Sequence, residues 1–320
     1  DLIQWLQPEM LERIDEAIED SVYRTDELSE ALARAGVLPM FGFPTSVRPL
    51  YGSQPTNRAS EDGAKVTDRP LEMAISSFAP GAEQLRDGEV HTACGFVSWR
   101  PYRNSFQAVD PLGEAITISK CRDCNAIDRQ NTNPTCDACG AIVDTFDMFQ
   151  PRGFRTTYNP RDYRDEKEGG PFLDPPTINF SLEGQETRRV SCTEAFSLRG
   201  VDLFRINDND GNLYDMEEQS DQSYIVNDAR LYTANNAPRG VQQNRPVRTG
   251  AIGSIKTTDA LLLTIDRAVI PGPDRYIETR NDLLPAGISA LYSFAEALRV
   301  SAADLLDIGP QEINAGLQSI

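Results

Sequence analysis

The sequence has no long apolar stretch and no signal-peptide pattern. Its longest apolar runs are short, such as Ala260 to Ile265, whereas a membrane-spanning helix needs about 20 consecutive apolar residues. No basic segment followed by an apolar one opens the chain, which is the pattern of a secretory signal peptide. We therefore expect a cytoplasmic protein without a membrane partner.

Sequence signatures of catalysis are also missing. The chain contains no GxxxxGK[ST] loop, no GxGxxG after a strand and no HExxH, so it lacks the common phosphate, dinucleotide and zinc-protease motifs. Its one histidine, His91, lies three residues before Cys94. On a strand these two side chains would face opposite sides, which disfavours a nucleophile pair. The chain by itself is predicted to be non-catalytic.

Basic residues are in deficit. The 31 Lys and Arg residues stand against 49 Asp and Glu residues, which gives a net charge of −18. Proteins that bind nucleic acid regardless of sequence usually show a basic face. The acidity argues against strong autonomous DNA binding, although it leaves room for a local basic groove. Residues 1–30 hold ten acids and two bases, a pattern typical of a solvated helix face.

Cysteines are too few for a disulfide scaffold but are arranged for a metal. Two residues separate the thiols within each of two pairs, and eleven residues separate the pairs. Two residues between thiols let one tight turn present both sulfurs to the same ion. Two such turns complete a tetrahedral site, with Zn–S distances of about 2.3 Å. A redox dithiol and two unrelated pairs are the alternatives. Because four thiolates leave no position for water, we predict a structural Zn²⁺. Its ligands are Cys121, Cys124, Cys136 and Cys139.

Helices are predicted at both ends of the chain. Apolar residues recur at helical spacing within residues 8–35 and again after residue 285. Ser301 and Asp304 resemble a capping box that would start a further turn. The two apolar stripes are Leu11, Ile14, Ile18 and Val22, and Ile288, Leu291, Ala295 and Leu298.

Strands are predicted between these helices. Leu71 to Phe78 and Glu89 to Trp99 are candidate strands, and Ala260 to Ile265 is predicted to be a buried one. The segment from Asn207 to Gly211 has the composition of a hairpin turn. A calcium loop there is disfavoured because its first ligand position would fall on Ile206.

The predicted fold class is α+β, a β-rich accessory domain with a four-cysteine zinc ribbon, flanked by N-terminal and C-terminal helices. Because the chain starts with Asp and its last residues still read as ordered structure, we expect it to be a piece of a longer protein. The predicted division is a helical connector (1–36), a β-rich region (37–176) with the zinc ribbon (118–142), a second β-rich region (177–284) and truncated C-terminal helices (285–320).

Five arginines lie near aromatic residues in the sequence. Such mixtures stack bases and hold phosphates, but arginine stems can equally cover the edge of a core. The candidate nucleic-acid-binding residues are Arg48, Arg100, Arg103, Arg152 and Arg155.

Several segments together resemble the zinc-binding C-terminal region of DEAD/DEAH-box superfamily 2 helicases. Relatives of this kind include the helicase of the DISARM phage-defence system, its companion zinc protein and a bacterial DNA-repair helicase. The resemblance spans most of residues 36–318. The segments are Leu38–Arg48, Arg69–Gly81, the paired cysteines, Pro151–Thr156, Thr257–Leu263 and Ser293–Gln318.

The resemblance implies a specific function. Two RecA-like motor domains that hydrolyse ATP would belong to the full-length protein, and this region would dock on them and guide or split DNA. The four cysteines correspond to the zinc ligands of the family, but its motor motifs have no counterpart here. A stand-alone scaffold that binds a separate helicase in a phage-defence complex is the alternative.

Overall fold

The computed structural model confirms a β-rich α+β fold. None of the helices in the described part of the chain is long and apolar enough to span a membrane. The structure describes residues 14–15, 32, 47–57, 60–121, 123, 126–129, 133–136, 139–162, 177–179, 187–190, 193–232, 238, 245–265 and 285–317.

The described part of the chain is built mainly from strands. The first strands are β1 (Val47–Tyr51), β2 (Lys65–Pro70), β3 (Glu83–Arg86), β4 (Glu89–Phe96), β5 (Ser98–Tyr102), β6 (Ser105–Val109), β7 (Ile116–Cys121), β8 (Ile127–Arg129) and β9 (Val143–Phe149). The others are β10 (Phe154–Thr156), β11 (Arg161–Asp162), β12 (Thr177–Asn179), β13 (Thr187–Val190), β14 (Thr193–Asn207), β15 (Tyr214–Glu218), β16 (Tyr224–Val226) and β17 (Val247–Ile265).

Most described strands belong to one large sheet. Its main path runs β2-β1-β10-β4-β16-β15-β17-β9-β7-β8. In addition, β3 and β11 pair with β4, β14 pairs with β17, and β12 and β13 pair with β14. β5 and β6 form a separate two-stranded ribbon.

The long strand β17 connects parts of the chain that are distant in sequence. It pairs antiparallel with β14 and β15 and parallel with β9, where Ala251 is opposite Met148. Strands on both sides of the predicted boundary at residue 176 therefore share one sheet. The boundary itself falls outside the described residues, and the division into four segments stays a prediction.

The main core lies where the sheet meets a short helix. Helices α1 (Glu61–Ala64) and α2 (Leu71–Ser77) flank β2. Leu71, Ala74 and Ile75 of α2 are buried in this core together with Phe78, the residue directly after the helix. The prediction of a strand here was wrong, because these apolar residues repeat at i, i+3, i+4 and i+7, the spacing of a helix face. Pro70 ends the preceding strand and leads into the helix.

The predicted hairpin turn joins strands that do not pair with each other. Asn207 is opposite Ile252 and Tyr214 is opposite Gly250, so β14 and β15 follow one another along the same edge of β17. Residues 208–213 are thus a loop that leaves this edge and returns to it, and the hairpin prediction was wrong. Asn209, Asp210 and Leu213 have positive φ angles there, which permit the compact return.

Ala260–Ile265 forms the end of β17, as predicted, but it is not buried. Leu261 is 67% exposed, because this end of the strand pairs with β14 beyond the main core. Leu198 and Phe196 of β14 are buried, so one face of the β14–β17 ribbon is covered and the other is open.

The C-terminal prediction of helix is confirmed, as one continuous helix. Helix α3 (Pro285–Leu306) passes through Ser301 without a break, and a 3₁₀ turn (Pro310–Glu312) follows it. The capping interaction occurs at this turn, where the amide of Gly309 donates to Glu312 Oε1 at 3.0 Å. Of the predicted N-terminal helix, residues 14, 15 and 32 are helical; the remainder lies outside the described residues.

Candidate functional site

The cysteine cluster is built on three strands at one end of the sheet. β7 pairs antiparallel with β8 and with β9, and Cys121 is the last residue of β7. Ile118 and Ile127 of this ribbon are buried with Met148 and Phe204 in a second core. These buried residues hold the β7–β9 ribbon, which comprises β7, β8 and β9, on the large sheet. The end of β7 positions the thiol of Cys121.

Two tight turns present the thiols. The amide of Cys121 donates to the carbonyl of Ala126 at 2.9 Å, and the amide of Cys136 donates to that of Ala141 at 2.7 Å. Gly140, with a φ of 78°, donates its amide to the carbonyl of Cys136 at 2.8 Å. Glycine adopts this positive φ without strain, which lets the chain reverse direction directly after Cys139.

Three thiols converge at this point. The sulfurs of Cys121, Cys136 and Cys139 all lie within 4.8 Å of one another, and Cys121 Sγ is 3.5 Å from Cys139 Sγ. Sulfurs bound to one tetrahedral zinc at about 2.3 Å are separated by about 3.8 Å. The cluster could therefore hold a metal ion and is compatible with zinc. Cys124, the fourth predicted ligand, lies outside the described residues.

Two ion pairs tie the ribbon to the rest of the sheet. Lys120 Nζ lies 2.8 Å from Asp208 Oδ2, and both side chains are about nine-tenths buried. Arg129 Nη1 lies 3.1 Å from Asp202 Oδ2 on β14. Asp208 belongs to the segment that was compared with a calcium loop, and its carboxylate is engaged by an ammonium group. This ion pair gives the Asp208 carboxylate a structural partner within the sheet.

The five candidate arginines occupy different environments. Arg100 and Arg103 are exposed on the β5–β6 ribbon, and the Arg103 guanidinium carbon lies 5.4 Å from the ring centroid of Tyr102. Arg48 lies in β1 and is partly buried, and Arg152 donates its amide to the carbonyl of Pro111 at 2.8 Å. Only the first two offer largely exposed side chains.

Arg155 is a buried structural residue. Its side chain donates to Ser223 Oγ at 2.6 Å, lies 3.6 Å from Asp221 Oδ2 and is 4.2 Å from the ring centroid of Tyr158. The residue is 8% exposed, so it has little surface to offer a phosphate. Sequence reasoning missed this role because the partners Asp221 and Ser223 are more than 60 residues away along the chain.

Cys94 lies in β4 and is fully buried. Burial raises the pKa of its thiol to about 11, although the neighbouring Arg155 offsets part of the effect. His91 is only partly buried, and desolvation is the main cause that lowers its pKa. A thiol that stays protonated at neutral pH is a poor nucleophile.

The raised pKa of Cys94 predicts a loss of stability in alkali. Between the ordinary value of 9.0 and about 11, the folded protein retains a proton that the unfolded chain has lost. The free energy of unfolding then falls as pH rises through this window, by up to about 1.4 kcal/mol per pH unit. Urea denaturation from pH 8 to 11 should show a shallower decline for Cys94→Ala than for the wild type. Equal slopes would contradict the raised pKa of Cys94. The contribution of Tyr158, whose pKa is about 12, is present in both proteins and therefore cancels in the comparison.

Comparison with known proteins finds one distant similarity. The chain is 23% identical over 364 residues to Druantia protein DruE of Escherichia coli (strain UMEA 4076-1). The alignment covers 97% of this chain and 19% of that protein, so the chain spans about a fifth of the length of this relative. No protein-family model and no solved structure matches the chain.

Proposed function

We propose that this chain is a non-catalytic, zinc-binding accessory region of an ATP-dependent DNA helicase, in a role related to phage defence. In this proposal two RecA-like motor domains hydrolyse ATP, and the β-rich region helps to engage or separate the nucleic acid. ATP would bind only in those motor domains. The zinc ion would be structural and would keep the β7–β9 ribbon in one conformation.

The observation that carries the proposal is the similarity to DruE along nearly the whole chain. The match covers 97% of this chain but 19% of a much longer protein, which is the relation expected between an accessory region and a multidomain parent. The converging thiols of Cys121, Cys136 and Cys139 support the zinc-ribbon part. The segment resemblance to superfamily 2 helicases supports the motor part.

The test compares the full-length gene product with a variant that lacks residues 47–317. We expect the deletion to leave ATP hydrolysis within about twofold and to reduce strand separation by about tenfold or more, because positioning of the strand is lost while the motor remains. ATP hydrolysis and duplex unwinding would be measured on the same preparations. Unchanged unwinding in the deletion variant would contradict the proposal.

The stand-alone scaffold is the second candidate. It shares with the first candidate a chain that carries the paired cysteines but no GxxxxGK[ST] loop. It predicts a stable complex with a separate helicase and a gene product without motor motifs. Co-purification of the chain with a motor protein encoded by another gene would select this candidate over the first.

A further inference from the structure

The β5–β6 ribbon differs from its surroundings in charge. The whole chain carries a net charge of −18, yet residues 98–109 contain two arginines and no Asp or Glu. The ribbon also forms a sheet of its own and has no ladder pairing to the other described strands. It is thus a small basic element on an acidic molecule.

The base of the ribbon is anchored in the protein. Trp99 is 8% exposed and packs in a cluster with Tyr51, Ala64 and Val97. Phe106, on the partner strand, packs against this cluster from the same side. Because this apolar side is held, the opposite side and the tip of the ribbon face solvent in a fixed orientation.

The solvent side carries an aromatic ring between polar groups. Arg100 and Tyr102 are two residues apart on β5, so they share one face, and Gln107 is opposite Arg100 on that face. All three are exposed, Tyr102 by 52%. An exposed tyrosine beside arginines is the combination that stacks an unpaired base and contacts the adjoining phosphates.

The tip places an arginine where a turn prefers another residue. Tyr102 is opposite Ser105, which leaves a two-residue turn of Arg103 and Asn104. Arg103 has a φ of 54°, a conformation that favours glycine or asparagine at this position. Residues held in such conformations concentrate at binding sites. The turn thus holds the Arg103 side chain at the exposed tip of the ribbon.

We propose that the face formed by Arg100, Tyr102 and Gln107, with Arg103 at the tip, binds single-stranded nucleic acid. A base stacks on Tyr102, and the two arginines contact phosphates on either side of it. A duplex fits less well, because its bases are already stacked and its denser charge is repelled by the acidic chain. The inference rests on the proposed function and states where this region would engage the nucleic acid.

The test measures binding of a fluorescein-labelled oligothymidylate to the 320-residue chain by fluorescence anisotropy. Tyr102→Ala is expected to weaken binding by about 5- to 150-fold, the range found for loss of one stacked base. Tyr102→Phe keeps the ring and should bind within about threefold of the wild type. Arg199→Ala removes an exposed arginine from β14 instead and should leave affinity within about twofold.

Arg103→Gly separates binding from stability. Glycine suits the positive φ, so the melting temperature should not fall, whereas the slope of log K against log salt should decrease by about 0.7 for the lost phosphate contact. An arginine with a purely structural role would instead show a lower melting temperature and an unchanged slope.

Three results would overturn the site: no binding of oligothymidylate or oligouridylate by the wild type, wild-type affinity in both Tyr102→Ala and Arg103→Gly, or tighter binding of a duplex. Binding of only one of the two polymers, with the same losses in the variants, identifies the natural polymer and supports the site. These results are independent of the unwinding assay. Wild-type affinity in the variants contradicts the ribbon site alone. The effect of deleting residues 47–317 on unwinding still decides the helicase role.

Discussion

Replacing Cys136 by serine is expected to abolish zinc binding by the cysteine cluster and to lower the melting temperature by at least about 8 °C. The binding free energy of a structural zinc site is folding free energy, and its loss belongs to the few changes that cost more than about 4 kcal/mol. One kcal/mol corresponds to roughly 2–4 °C in a domain of this size. Cys136 is buried with Cys121, so no water-exposed conformation relieves the change.

The measurement is zinc content by plasma mass spectrometry together with a thermal melt of the same sample. Cys94→Ala is the matched control, because Cys94 is a buried free cysteine outside the cluster and its loss should leave the metal content unchanged. If the wild type, purified without chelators, carries no zinc and Cys136→Ser melts at the same temperature, the metal assignment is wrong.

Gly95→Ala is expected to destabilise the protein by about 3 kcal/mol or more, the upper range for overpacking. Gly95 lies where β4 is flanked by β10 and β16, opposite Arg155 and Ile225. A Cβ at Gly95 would overlap the carbonyl oxygen of Tyr224 and lie 2.9 Å from the Cα of Ile225. Because these are backbone atoms, only separation of β16 from β4 makes room.

Gly63→Ala is the control for this substitution. A Cβ at Gly63 has no neighbouring atom within 4 Å, and alanine is favoured over glycine in a helix by up to about 1 kcal/mol. The free energy of unfolding from urea titration should therefore be equal or slightly higher for Gly63→Ala. Similar stabilities for the two variants would show that β4 and β16 do not approach as closely as described.

The cysteine cluster could be predicted because its information is local. Its cysteines lie within 19 residues, and the two-residue spacing within each pair fixes which thiols share a turn. Three of the four predicted ligands come together in the structure. The strand prediction for Leu71 to Phe78 was wrong although the helical spacing is local, because short apolar runs are ambiguous between helix and strand.

Strand pairing could not be predicted, because it depends on contacts between distant residues. Nothing near Asn207 indicates that β14 and β15 share an edge of β17, since each partner is 30 or more residues away. The burial of Arg155 has the same origin: its partners Asp221 and Ser223 follow by more than 60 residues. The exposure of Leu261 likewise could not be predicted from its neighbours in sequence, because it depends on which distant elements pack against that end of β17.

Strands β16 and β17 each pair with a strand that comes much earlier in the chain, and this order has a consequence for aggregation. β9 is covered on one side by β17, and β4 by β16, so residues after 245 and residues 224–226 shield edges that belong to earlier segments. Unpaired strand edges are templates for association with other chains. During synthesis, β4 and β9 therefore remain open until the later strands emerge, and a nascent chain is most prone to self-association in that interval.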